Sequence, residues 1–508
     1  MWLNFIIEQV NKHTNLRPLK TWGNIQISGI SSDSRSIKPG DLFVCMPSRN
    51  TNTHELIPEV KAKGAVGVLT HSEEGNRLAE ENNLPYAQIE TNNYSFLEYI
   101  SEFCKVFFDD PTSKMRVVGI TGTNGKSTTA WILRDILEAM GEASAYVGTL
   151  GVKTNRYHDK LLNTTPFPVE LWKVLNRLAL EGVENVFIEA SSEGLAQKRM
   201  SGINFDAAVF TNLTQDHLNF HGSMEAYTQA KKILFTDFAQ STNKEFKAIL
   251  CEDDTTGQLW AKEFKKSKKF EVSTYGISQG DMTAKVDHLD FYSLSMKLKS
   301  GKSTQAILAN LGGMFNVMNC LSSIACLTAL GYRLTSIAEA IKKATAVPGR
   351  FESISNSHGI NVIVDYAHAP DALKSLLVTA KQLTKGRVIT VFGCGGDRDQ
   401  LKRPLMANVV GTLSDISIIT SDNPRTEDTC AIIKDVQQGM PNGSEYRTIC
   451  DRIEAIHEAV KIARADDVVV IAGKGHEDYQ IIGRQKHPMD DRKIARDALA
   501  QRDGTNIN

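Results

Sequence analysis

From residue 115 onward one pattern recurs along the 508-residue chain: a short run of β-branched and apolar residues ends in a cluster of glycine and polar residues, and a helical stretch often follows. The runs are MRVVGI before TGTNGKS, NVFIEA before SSEG, DAAVFTNL before TQDH, NVIVDYAHAP, RVITVFGCGGDRD, ISIITSDNPR and DDVVVIAGKGHE. Strands covered on both faces need such continuous apolar runs, and helices between them supply the crossovers, so the pattern predicts a parallel α/β construction. Ligands of open parallel sheets bind just beyond the carboxyl ends of the strands, which is where every one of these polar clusters falls. The clusters therefore predict one site, or two that face each other.

A chain of this length exceeds what one hydrophobic core supports, and a prior of one domain per ~150 residues gives about three. The expected divisions are residues 1–95, 96–346 and 347–508. A helical segment around Tyr94–Asp109 and the break DDPTSKM mark the first. TAVPGRFE marks the second, with Pro348 and Gly349 expected to interrupt a helix before a new series of strands. With 58 basic and 59 acidic residues the formal charge is −1, which gives no electrostatic reason to expect nucleic acid or an anionic membrane as partner. The eight cysteines are scattered without metal-ligand spacing, and MWLNFIIEQVNKH lacks the form of a signal peptide. No apolar run approaches the ~18 residues needed to span a bilayer. The expected setting is a reducing cytoplasm.

The first glycine cluster carries a nucleotide signal of unusual spacing. A standard phosphate loop reads G-x-x-x-x-G-K-[ST], whereas Gly122 and Gly125 enclose only Thr123 and Asn124. Its context is nevertheless that of a working loop: the strand MRVVGI before it and the helix STTAWILRDILEAM after it. Amides at that helix N-terminus favour phosphate, Lys126 reaches outer phosphates, and the Ser127 hydroxyl suits magnesium, with Thr128 next in line. The alternative is a solvated lysine in a helix-starting turn.

TGTNGKST resembles the loop of the Mur ligases, ATP-dependent amino-acid-adding enzymes of peptidoglycan synthesis, whose loop has this shorter form. The resemblance continues in order through DSRSIKPGDLFV, NTTP, EASSEGLAQKR, TNLTQDHLNFHGSMEAYTQAKKILF, FNVMN, VPGRFE, DYAHAPDAL, FGCGGDRDQLKRPLM, SDNPRTED and AGKGHE. Within the family it is closest to the branch that adds the third residue of the stem peptide. It implies an N-terminal UDP-sugar-binding α/β domain, a central ATPase domain with a parallel sheet and a C-terminal Rossmann-like domain, working as a cytoplasmic monomer. The implied reaction joins an amine to the D-glutamate of UDP-MurNAc-L-Ala-D-Glu. ATP phosphorylates a carboxylate, and the amine attacks the acyl phosphate.

By the same resemblance Glu189 and Ser127 hold Mg2+, and His217 helps to hold a second metal. Lys231 matches a lysine carbamylated by CO2 to N6-carboxylysine; the adjacent Lys232 leaves the choice open on spacing alone, and alignment counted from His221-Gly222 selects Lys231. Asn316, Arg350, Asp365, Tyr366 and His368 look like further ATP-binding residues, and an arginine near phosphates stabilises charge on the transferring group. Ser32, Ser34, Thr164, Thr165, Ser191, Gln197 and Arg199 are implied for the UDP-MurNAc-peptide, although any Ser or Thr is more often a cap or turn residue.

The identity of the amine turns on SDNPRTED. DNPR resembles the signature of family members that use meso-diaminopimelate, whose distal carboxylate a planar guanidinium from Arg425 can hold in a bidentate pair. L-Lysine ends instead in an ammonium, which Arg425 repels. Arg398, Asp422, Asn423, Gly473 and Glu477 complete the implied pocket, with Glu477 and Asp422 facing the substrate ammonium. A lysine-adding ligase and a folylpolyglutamate synthetase are the alternatives within the superfamily; DNPR argues against the first and DSRSIKPGDLFV against the second. A non-catalytic nucleotide-binding homologue would lack metal or lysine positions, yet Lys126, Glu189, His217 and Lys231 are all present. Two departures lie on the nucleotide-sugar side: CMPSRNTNTHELI replaces a glycine-rich turn but keeps His54, and Glu193 stands where an imidazole is usual.

Overall fold

All seven apolar runs are strands, and each has a parallel neighbour. The computed structural model describes residues 1–48 and 51–502, and the chain divides into two compact units, Met1–Thr283 with Leu321–Leu334, and Ala284–Cys320 with Thr335–Asn508. Arg49 and Asn50 of the altered N-terminal loop lie outside the described residues.

In the first unit the strand Arg116–Thr121 pairs in parallel with Asn185–Glu189 on one side and Ala207–Phe210 on the other. Lys247–Cys251 and Glu271–Gly276 extend the sheet beyond Ala207–Phe210, and Ser144–Gly148 extends it beyond Asn185–Glu189. Apart from the first half of Glu271–Gly276 these strands are buried almost throughout, the burial that their apolar sequence anticipates. A smaller sheet precedes it, in the order Lys20–Trp22, Tyr86–Gln88, Gly67–Thr70, Asp41–Val44, Gly29–Ser31. Only the Lys20–Trp22 strand of that sheet runs antiparallel to its neighbour.

The helix Ser95–Phe107 packs against Leu3–His13 and Pro168–Leu180, and Trp172 Nε1 donates to Ser101 Oγ at 2.8 Å, which donates on to the Ser201 carbonyl at 2.6 Å. One apolar core runs from Leu3 and Ile30 through Phe103 and Trp172 to Phe264. The small sheet and the central sheet therefore share one core through these helices, which joins them in a single unit.

The second unit is built on a six-stranded sheet in the order Glu352–Ser353, Asn361–Asp365, Val468–Ala472, Val388–Phe392, Ile416–Ile419, Tyr446–Thr448, parallel except at its first strand. Helices Pro370–Leu383, Lys402–Leu413 and Thr429–Gln437 cover one face, and Arg452–Ile462 with Asp491–Arg502 cover the other. That is a Rossmann-like, doubly wound layering. Beneath the second face Arg452 and Asp491, both fully buried, form a two-pronged ion pair, and Arg452 also donates to the Ser421 and Ala472 carbonyls at two strand ends.

Pro348 and Gly349 do not interrupt a helix: the helical segment ends with the turn Ile341–Lys343, and Pro348 lies beyond it in a separate turn, closed where Arg350 N–H donates to the Val347 carbonyl at 3.0 Å. Gly349 is required by space as well as by its φ of 63°, because a Cβ there would sit 2.1 Å from the Gly475 carbonyl carbon.

Candidate active site

The shortened phosphate loop is completed by a neighbouring strand. Thr123 N–H donates to the Asn212 carbonyl at 2.8 Å and Asn124 N–H to Asn212 Oδ1 at 3.0 Å. In return Thr211 Oγ1 donates to the Asn124 carbonyl at 2.6 Å. Two residues suffice between the glycines because the segment after Ala207–Phe210 holds the bend. Gly122, at φ 145°, has no room for a side chain: a Cβ would lie 1.9 Å from Thr211 Oγ1. The helix Lys126–Met140 opens directly after Gly125, and its first-turn amides face outward as an anion site.

Two lysines converge on this loop. Lys126 Nζ donates to the carbonyls of Gly122 and Thr123 at 2.9 and 2.8 Å, and Lys231 Nζ donates to the same Gly122 carbonyl at 2.8 Å. Lys231 is 1% exposed and stands over the Tyr227 ring, 4.4 Å from its centroid. Burial, and then the charge of Lys126, hold its pKa well below the ordinary lysine value, so its amine is biased towards the neutral, nucleophilic form. Lys232, one position on, points away and pairs with Glu263 at 2.7 Å.

Glu189 ends its strand fully buried. Its carboxylate accepts from the Tyr146 hydroxyl, from Thr149 N–H at 2.9 Å and from Thr149 Oγ1 at 3.2 Å. His217, in a left-handed backbone conformation (φ 54°), lies between two carboxylates: Glu193 is 3.7 Å from Nδ1 and Asp216 is 3.6 Å from Nε2. His221 contacts Ser192 Oγ at 3.0 Å; its pKa is lowered, chiefly by burial. Ser127 and Glu189 offer hydroxyl and carboxylate oxygens, which suit a hard ion such as Mg2+. Among the described residues no three His, Cys, Asp or Glu side chains are gathered into a ready-made metal cage.

Five of the residues expected on the sugar side form one network. Thr164 Oγ1 lies 3.0 Å from Thr149 Oγ1; Thr165 Oγ1 donates to the Glu189 carbonyl at 2.7 Å and lies 2.9 Å from Ser191 Oγ. Arg199 donates to the Thr165 carbonyl and to Gln197 Oε1, both at 2.8 Å, and covers the Phe167 ring. Ser32 and Ser34 lie at the turn after the strand Gly29–Ser31, where Asp33 pairs with Arg35. His54 is buried with its ring tilted against that of His71, centroids 4.1 Å apart, and burial with that neighbour pushes its pKa down to about 4. It is a neutral packing element of the small domain.

In the second unit Asp365 accepts from the amides of Phe351 and Ala367 at 2.7 and 2.8 Å, and burial raises its pKa. Arg350 lies over the Tyr366 ring at 4.7 Å, and Tyr366 also meets the rings of His368 and His476. Asn316 Nδ2 donates to the Gly312 carbonyl at 2.7 Å.

The residues expected on the amine side gather where Val388–Phe392, Ile416–Ile419 and Val468–Ala472 end. Asn423 Nδ2 donates to Glu477 Oε2 at 2.9 Å, and Lys474, fully buried, donates to Asn423 Oδ1 at 3.1 Å and to the same Glu477 oxygen at 3.0 Å. Gly473, at φ 113°, brings its backbone against Asp422, whose Oδ2 would be 2.8 Å from a Cβ. Arg425 occupies the left-handed region (φ 52°) and braces its guanidinium on the Gly396 carbonyl at 2.8 Å. Arg398, exposed, bonds locally to the Asp397 carbonyl. Lys474 was not among the residues expected from sequence, although its place between two glycines after a buried strand is a signal; Tyr146, Thr149, Tyr227 and Asn212 were also missed.

Residues 120–327 match the Mur ligase middle domain, and residues 349–475 match the Mur ligase, glutamate ligase domain. The chain is 39% identical over 482 residues to the UDP-N-acetylmuramoyl-L-alanyl-D-glutamate--2,6-diaminopimelate ligase of Bacillus cereus, covering 94% of this chain and 95% of that one. The ligase of the same description from Gloeobacter violaceus is also 39% identical, over 481 residues and with the same coverage. A solved structure described as UDP-N-acetylmuramoyl-L-alanyl-D-glutamate--2,6-diaminopimelate ligase superposes with a TM-score of 0.66 at 32% identity, over 94% of this chain and 96% of that one. At 16% identity the MurF ligase of Thermotoga maritima, solved with ADP, shares the fold with a TM-score of 0.64, over 94% of this chain and 99% of that one. Domain models in the right order and relatives matched along almost their whole length agree with the loop, strand ends and site geometry: this chain belongs to the Mur ligase family.

Proposed function

We propose that this protein is an ATP-dependent amide ligase that adds meso-diaminopimelate to the D-glutamate of UDP-MurNAc-L-Ala-D-Glu in peptidoglycan synthesis. The observation that carries the choice of amine is Arg425, already braced on the Gly396 carbonyl within a loop shared with Asn423. A pre-oriented guanidinium loses little freedom when a distal carboxylate arrives. Asn423 and Glu477 supply the polar and anionic partners that an α-ammonium needs, and Lys474 keeps Glu477 turned into that group.

On the nucleotide side, the loop Gly122–Thr128 receives the ATP phosphates, with Lys126 leaving its own loop carbonyls to neutralise them. Ser127, Glu189 and His217 are the residues that would hold Mg2+, which when bound supplies positive charge to offset the approach of two anions. Lys231, neutral and buried, can add to CO2 with loss of a proton to give a carbamate. Arg350 and Tyr366, with Asn316, Asp365 and His368, are suited to phosphate charge and to stacking. The Thr164–Arg199 network, with Ser32 and Ser34, is assigned to the nucleotide-sugar peptide. The terminal phosphoryl group passes to the D-glutamyl carboxylate, the amine attacks the carbonyl carbon, and phosphate leaves, so ATP, acid and amine become ADP, phosphate and amide.

Domain boundaries near residues 95 and 346, a cytoplasmic setting and a monomeric state belong to the same proposal; among the described residues no helix is long and apolar enough to cross a membrane. The test is phosphate release with ATP, Mg2+ and UDP-MurNAc-L-Ala-D-Glu, comparing meso-diaminopimelate with L-lysine. Release coupled to a tripeptide product with meso-diaminopimelate alone supports the reading. Release with L-lysine alone means that Arg425 has been misread, and release with neither points to a different donor.

A further inference from the structure

Arg403 lies on the helix Lys402–Leu413 with 1% of its side chain exposed. It donates to both oxygens of Glu427, at 2.9 and 2.8 Å, and to Asp435 at 2.8 Å. Glu427 closes the loop that contains Arg425, and its Oε1 also accepts the backbone N–H of Asp397 at 2.5 Å. The Asp397 carboxylate reaches back, accepting from Thr426 N–H at 3.1 Å and from Thr426 Oγ1 at 2.8 Å. Between these links Gly396 N–H donates to the Asn423 carbonyl at 2.9 Å, so close that a Cβ on Gly396 would lie 1.9 Å from the Pro424 carbonyl oxygen.

Asp397 and Arg425 both have left-handed backbones, at φ 53° and 52°. Neither conformation is favourable for a side-chain-bearing residue, and such conformations persist where the surroundings over-determine them. The Arg425 guanidinium is braced on Gly396, and Gly396 is held by the Asp397–Glu427–Arg403 chain of bonds. Arg403 is buried but its partners Glu427 and Asp435 are 23% and 42% exposed, so water screens the pairs and they stabilise the fold little; a fork that spans two carboxylates fixes geometry instead.

We propose that Arg403 and Glu427 are a specificity-determining positioning pair: by fixing the backbone at residues 396–397 they set where Arg425 presents its guanidinium, and so how strongly an amine with a distal carboxylate is preferred to one with a distal ammonium. The inference rests on the reading of Arg425 given above. Neither residue touches substrate, so their effect passes through the KM of the amine and not through that of ATP.

The experiment measures kcat and KM for meso-diaminopimelate, L-lysine and ATP in the full-length wild type, Glu427→Gln and Arg403→Lys. In Glu427→Gln the preference for meso-diaminopimelate, as a ratio of kcat/KM values, falls about 10- to 100-fold, the scale of a misplacement of about 1 Å. The KM for ATP is unchanged, and Arg403→Lys, which keeps a charge but not the fork, falls between. If Glu427→Gln does not fold, Arg403→Lys alone carries the comparison. A folded variant with unchanged preference, an equal loss with all three substrates, or failure of both variants to fold overturns the inference. A wild type that prefers meso-diaminopimelate beside variants that do so equally overturns the positioning pair alone; a wild type that takes neither amine overturns the reading of the site as well.

Discussion

Replacing Arg425 by alanine removes the guanidinium without asking for a new backbone, because alanine and arginine are equally disfavoured at its φ of 52°. The folded protein loses a bond to the Gly396 carbonyl at 2.8 Å and a longer one to Asn423 at 3.5 Å; in a half-buried loop open to water that amounts to about 1 kcal/mol or less. The bound state loses much more. A bidentate pair to the distal carboxylate contributes charge-assisted bonds of about 1.5–3 kcal/mol, and partial exposure places the net near 2–3 kcal/mol. At 1.36 kcal/mol per decade the kcat/KM for meso-diaminopimelate falls about 30- to 160-fold. The assay is steady-state ADP release with the amine varied at saturating ATP and UDP-MurNAc-L-Ala-D-Glu, then with ATP varied. A loss below about threefold, or an equal rise in both KM values, refutes the assignment of Arg425 to the distal carboxylate.

Other perturbations probe other parts of the molecule. Lys231 binds fewer protons folded than unfolded between its depressed pKa and the ordinary value of 10.5, so it makes stability rise with pH across that window; Lys231→Met flattens the slope of Tm against pH there and abolishes the carbamate 13C resonance seen after incubation with 13C-bicarbonate, and retention of either feature contradicts its role. His54 is held neutral with a pKa of about 4 against the ordinary 6.5, so its contribution is present above pH 6.5 and is lost as pH falls towards 4. That loss is roughly 3 kcal/mol; His54→Gln shows a shallower acid limb in urea titrations, and an unchanged limb would count against it. Asp491→Ala leaves the Arg452 guanidinium buried without its counter-charge and destabilises the second unit by about 3–5 kcal/mol; a shift below 1 kcal/mol in denaturant unfolding would mean that water reaches Arg452.

The seven parallel strands were legible because burial on both faces leaves their interiors almost wholly apolar, and the polar clusters were legible because strand ends are where such a sheet becomes accessible. Spacing alone left Lys231 and Lys232 undecided, and burial in the structure separates them. Tyr227, Lys231, Leu234, Phe235 and Phe238 share one buried stripe of the helix Met224–Ser241, whereas Lys232 turns about 100° away. What sequence could not supply were partners distant in the chain. Asn212 completes a loop some 90 residues earlier, Tyr146 holds Glu189, and Arg403 and Glu427 brace a loop around Arg425. Nor does composition reveal that the small sheet shares its core with the central one, because that depends on which faces of Ser95–Phe107 and Pro168–Leu180 meet.

Isotope transfer tests whether a carboxylate is phosphorylated on the way to the amide. UDP-MurNAc-L-Ala-D-Glu carrying 18O in the accepting D-glutamyl carboxylate is turned over with ATP, Mg2+ and meso-diaminopimelate, and the released phosphate is analysed by mass spectrometry. An acyl phosphate places one carboxylate oxygen in each phosphate, so every turnover on fully labelled donor yields phosphate with a single 18O. Phosphate without label, formed alongside the tripeptide product, would contradict carboxylate activation and with it the chemistry assigned to this site.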